Sequence, residues 1–341
     1  MEQGGRGNIR SRGKIEALNE TKWRINHMLP SEGLPNTRLN PPDVEVKAGM
    51  RLRLTGDHAH REICSRLQGY PAAQRLSEEV YDFYGNYLSY TESSEFTSTL
   101  YTIDLQHDPI ALKSADIELQ LETGRVAEAL THELLHLHLP MLGFPLGELV
   151  WVPLWFDHYA QLFLGMCNWV VNAVHHEINF QRFVALGFDK KHFLAKHVTP
   201  VDYRRLFKPD PQNMHTRLDD FSRWCIEYTR HLLNARHGGS KDCLRLAQDA
   251  LYWGSRLHPG FKQTAAEIDR WFETGDFKNP GQYPQQVNLL LDFMRIPKFT
   301  GWVTLKRSEH KNPMAVRLDP KRICSASYKR CNDRLFTAGM G

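Results

Sequence analysis

Between residues 125 and 139 apolar side chains recur at helical spacing: Val126, Ala129, Leu130, Leu134 and Leu137 form one stripe that no Gly or Pro interrupts. Pro140 and then Gly143 close the segment. Upstream, Thr99 to Leu105 alternates with the period of a half-buried strand, so the local order predicted is strand, connection, helix. A longer helical pattern runs from Trp155 to about Leu186. Its wheel puts Asn168, Asn172, His175, Asn179 and Arg182 on a polar side, taken to be solvated. Tyr159, Met166, Val170, Ala173, Val174, Phe180 and Val184 lie opposite, with Glu177 near the middle of that apolar stripe.

Other elements follow from the same periodicities. A helix is predicted around Pro71 to Tyr90, with Leu76, Val80, Tyr81 and Tyr84 on its apolar side. Beyond Pro200 come helices at Leu218–Ala235, Lys241–Leu257, Thr264–Phe272 and Pro284–Met294, then a short strand, Trp302–Leu305. Their aromatic residues, Phe221, Trp224 and Tyr228 among them, read as core. Residues 1–45, rich in Gly, Arg, Asn and Pro, read as a flexible arm with at most one helix near Lys14 to Met28, and Val44–Leu54 as an edge strand. The expectation is an α+β, predominantly helical fold with a small sheet: a core over 46–200, a helical region over 201–300 and a basic C-terminal segment over 301–341.

The helix at 125–139 carries the chemistry, because His132-Glu133-Leu134-Leu135-His136 lies within it. Two imidazoles four residues apart stand about 40° apart around the axis, so both can reach one metal ion from one face. Glu133, next to that face, can take a proton from water at the metal. A catalytic metal needs a third protein ligand and an open position. The downstream candidates are His138, Glu148, Asp157, His158, His175, His176 and Glu177. His138 points roughly 120° away from the pair on the same helix and fits poorly. Glu177 is the preferred third ligand, because a carboxylate at a core-facing position is costly unless paired, protonated or bound to metal. His175 and His176 are the reserve.

This arrangement resembles the zincin metallopeptidase superfamily, in which a strand precedes a helix bearing His-Glu-x-x-His; the resemblance covers about residues 95 to 185. A Glu on a second helix, 41 residues after His136, suits the gluzincin branch. The SprT- and WLM-type peptidases place a third His soon after the motif, where this chain has Leu142 and Gly143. The resemblance implies a zincin-like core, a Zn2+ ion held by His132, His136 and Glu177, and Glu133 as general base in hydrolysis of a peptide or protein substrate. His158 or Tyr159 would supply an oxyanion donor.

Composition narrows the setting. The apolar stretches are broken by Pro, Gly, Glu or Asn, so none predicts a membrane span. Met1 to Gly7 lacks the apolar run of a secretory leader, and the six cysteines include no Cys-x-x-Cys pair, so a reducing, cytoplasmic location is expected. Cys324, Cys331 and His310 match no defensible metal spacing and read as ordinary side chains. The formal charge of +4 is uneven: from Lys306 onward nine basic residues face three acidic ones. That end, with Tyr328 and Phe336, can meet nucleic acid or an acidic partner. A second functional class therefore stays open, a helical protein- or nucleic-acid-binding protein with a structural or degenerate metal site.

Overall fold

The computed structural model describes residues 22–26, 53–93, 98–104, 111–120, 124–148, 157–194, 216–237, 241–296, 298–299, 301–307 and 313–318. The fold is mostly helical, of α+β class, and its sheet is larger than the small one expected, with eight strands. These are β1 (Lys22–Asn26), β2 (Arg53–Thr55), β3 (Leu88–Ser93), β4 (Ser98–Asp104), β5 (Ala111–Gln120), β6 (Leu146–Glu148), β7 (Gly301–Arg307) and β8 (Pro313–Arg317). The main path runs β1-β4-β5-β8-β7-β6. β3 lies parallel to β5 and carries β2 on its far side. β5 is central: β4 follows one edge, while β3 and the start of β8 share the other. The edge of β4 is covered by β1, so the helix expected over Lys14–Met28 gives way to a strand at Lys22–Asn26, paired from Lys22↔Thr102 to Asn26↔Ser98. An open strand edge presents unpaired N–H and C=O groups, and pairing satisfies them. The remainder of the N-terminal arm, most of Val44–Leu54, and the basic end beyond Leu318 with Cys324, Tyr328, Cys331 and Phe336 lie outside the described residues, as does His310.

The helices are α1 (Gly56–Arg66), α2 (Pro71–Tyr84), α3 (Val126–Met141), α4 (Asp157–Ala185), α5 (Thr216–Arg236), α6 (Lys241–Leu257), α7 (Phe261–Thr274) and α8 (Tyr283–Phe293). One apolar core joins helices and sheet, with Tyr84, Tyr90, Tyr101, Ile117, Leu130, Leu134, Leu137 and Trp302 among its members. The C-terminal elements belong to this body: β7 and β8 complete the sheet, and Leu290 and Leu291 of α8 are wholly buried.

α3 is enclosed on almost every side, since every residue from Leu130 to Leu137 is buried. Its position is set by hydroxyl groups from neighbouring elements. Pro140 sits in its last turn and has no N–H, so the carbonyl of His136, four residues earlier, lacks its intrahelical donor. Tyr101 of β4 supplies one, its hydroxyl donating to the His136 oxygen at 3.1 Å. Tyr84 of α2 donates likewise to the Leu137 oxygen at 2.9 Å. The helix ends at Met141; beyond it Gly143 takes a positive φ of 89°, and the Phe144 N–H returns to the Leu139 oxygen at 3.2 Å.

Tyr101 is fully buried, so Tyr101→Phe leaves the His136 carbonyl without its donor. The expected loss in chemical denaturation is about 1–3 kcal/mol. In a Pro140→Ala background the backbone N–H is restored, and the same change is expected to cost less.

Candidate metal centre

Three imidazoles meet where α3 faces α4. His132 Nε2 lies 3.1 Å from His136 Nε2 and 3.1 Å from His176 Nε2. The ligand-capable atoms of the three residues all lie within 4.8 Å of one another, and all three side chains are buried. The third member of the cluster is His176, and Glu177 is not part of it. Tetrahedral coordination with metal–nitrogen bonds of about 2.0–2.1 Å separates the nitrogens by roughly 3.3 Å, close to the spacing found. The chemistry of the donors agrees. A neutral imidazole has one lone pair, and a nitrogen facing two others at hydrogen-bond distance is best served by a shared cation. These residues can hold a metal ion.

Glu177 turns elsewhere. Its carboxylate accepts from Arg236 at 3.0 Å and lies 2.5 Å from His237 Nε2 at the end of α5. Burial pushes this carboxyl up, but the hydrogen bond and charge of His237, with Arg236, outweigh it and leave the group below its ordinary range. The charge at the core-facing position is thus explained by an ion pair instead of a metal bond. His138 is also engaged away from the cluster, hydrogen-bonded to Arg182 and 3.3 Å from Glu79. Burial and the Arg182 charge lower its pKa. For Glu148, Asp157, His158 and Tyr159 only the backbone is described.

The polar side of α4 is not solvated. Asn172, His175, His176 and Asn179 are all buried, while Val184 on the apolar side is exposed. A helix of 29 residues packed among α3, α5, α8 and β1 buries both stripes, and the polar one faces the histidines of α3. The inclusion of imidazoles and amides, without Lys or Glu, is the signal that could have marked this face. Phe193 closes one side, its ring centroid 4.8 Å from that of His132 and 5.5 Å from that of His176.

Glu133, the residue after His132 on α3, is buried, and the Thr99 hydroxyl of β4 donates to its Oε2 at 2.7 Å. Thr99 was legible as a strand residue, but nothing in its spacing predicts that partner. A second chain of contacts runs away from the cluster. His136 Nδ1 lies 3.3 Å from His175 Nδ1, and His175 Nε2 lies 2.9 Å from the Tyr283 hydroxyl. Comparison with protein-family models, curated proteins and solved structures found no match to this chain. Among the described residues no helix is long and apolar enough to cross a membrane.

Metal analysis of single variants checks the ligand set. Wild-type protein and Glu177→Gln are expected to retain about one divalent ion per chain, and His132→Ala, His136→Ala and His176→Ala to lose it. Glu177→Gln has a separate signature. Stability from a depressed carboxyl is complete above its ordinary value of 4.5 and lost as pH falls through its lower folded value, so the variant should show a flatter acid limb in thermal unfolding.

Proposed function

We propose that the protein is a zinc-dependent hydrolase, most simply a metallopeptidase, with a zincin-like core in which β4, β5 and α3 carry the chemistry. The observation behind this reading is the meeting of three imidazole nitrogens, His132, His136 and His176, beside a buried carboxylate on the same helix. The cluster has three protein ligands among the described residues, which suits a catalytic metal with one position open; a closed structural zinc takes four.

When bound, zinc supplies Lewis acidity toward a scissile carbonyl and draws the pKa of a coordinated water to about 7. Glu133 accepts the proton of the attacking water and returns it to the leaving amine. Thr99 holds Oε2 of that carboxylate, fixing the rotamer from which the proton moves. His132, His136 and His176 would hold the ion as neutral donors, so the net charge of the centre would be one unit more positive than with Glu177 as a ligand.

The decisive measurement pairs metal content with hydrolysis of a fluorogenic peptide pool. Glu133→Gln is expected to keep its zinc and its fold while the rate falls by about 10²–10⁴-fold. Unchanged hydrolysis in that variant, or no peptide cleavage by zinc-loaded wild-type protein, removes the peptidase reading.

A further inference from the structure

The geometry points to a tautomer relay in which Tyr283 and His175 are positioning residues, holding His136 with its Nδ1 protonated and its Nε2 lone pair turned toward His132 and the metal position. This rests on the metal-centre reading but not on hydrolysis. A neutral imidazole carries one proton, so a histidine that offers Nε2 to a metal must carry that proton on Nδ1 and donate it. The Nδ1 of His136 faces His175 Nδ1 at 3.3 Å, which makes the latter an acceptor. His175 must then bear its own proton on Nε2, where the Tyr283 oxygen accepts it at 2.9 Å. Each contact constrains the next once His136 serves as a ligand.

The surroundings keep this order. His136 and His175 are each 1% exposed and Tyr283 is fully buried. The Tyr283 ring is wedged edge-on between Phe144, at 5.4 Å and 88°, and Trp302, at 5.8 Å and 80°, which sets where its hydroxyl points. A ligand imidazole commonly donates the N–H of its second ring nitrogen to a carboxylate or backbone carbonyl. Here the acceptor is another neutral imidazole, whose tautomer is set by a residue 108 positions away on α8. With phenylalanine at 283, the His175 proton can move to Nδ1, where it opposes the His136 proton.

Competition for Zn2+ against a chromophoric chelator, on the full-length chain, tests the relay. Tyr283→Phe and His175→Gln are each expected to weaken Zn2+ binding by about 10–100-fold. His175→Asn, whose amide oxygen can take the place of Nδ1, is expected to retain most of the affinity. Wild-type affinity in both Tyr283→Phe and His175→Gln overturns the relay and leaves the metal centre and its hydrolysis standing. Weakened binding without any peptide cleavage by the wild-type protein sinks the hydrolase and leaves the relay. Should the variants fail to fold, two-bond ¹H–¹⁵N correlation spectra of the wild-type histidines decide. Nδ1–H on His136 with Nε2–H on His175 supports the relay, and the reverse tautomer on either ring refutes it.

Discussion

A carbonyl whose usual helical donor is replaced by a proline helps to place the site. Pro140 deprives the His136 oxygen of an amide donor, and Tyr101 of β4 replaces it with a hydroxyl. Because the tyrosine is fully buried and anchored in a strand with neighbours on both sides, this bond sets both the height and the rotation of α3 against the sheet. Thr99, two residues earlier and on the same face of β4, reaches the Glu133 carboxylate. One strand thus fixes the backbone of one candidate ligand and the side chain of the candidate base, and the rotation that satisfies both presents His132 and His136 to α4.

α4 meets that demand by burying polar groups on one side and apolar groups on the other. Buried amides and imidazoles are tolerated only where partners exist. His175 has His136 and Tyr283, and Asn179 accepts from Arg182. Glu177 follows the same rule one residue beyond His176, with Arg236 at the end of α5 and His237 just past it as its partners. Its ion pair ties α4 to α5, and Phe180 and Phe193, packed on the His237 ring, continue that contact back to the imidazole cluster.

Much of this was legible in the chain. The boundaries of α3 and α4 follow from apolar periodicity and from Pro and Gly placement, and Lys241–Leu257 matches residue for residue. What escaped was chiefly nonlocal. β5 is absent from the expectation although Ala115, Ile117 and Leu119 alternate with Asp116, Glu118 and Gln120 along it, a strand signal that the sequence does carry. β1 forms because β4 offers an edge, a fact with no local counterpart in Lys22–Asn26. Choosing Glu177 over His176 followed from assuming that the apolar stripe of α4 faces the core and the polar one faces water. That rule holds for a surface helix and fails for one enclosed on all sides. The tyrosine at 283 lies so far along the sequence that only the assembled fold could bring it to His175.

The span from His132 to His176 includes all of β6 and the connection into α4. An ion gripped at both ends of that span would act as a reversible staple, without a preformed counterpart in the open chain. Each tenfold rise in free metal above the dissociation constant then adds about 1.4 kcal/mol to the folded form. With such an ion, the population of native protein would become a function of how much metal the surroundings release, and scarcity would be read first as loosening between two helices.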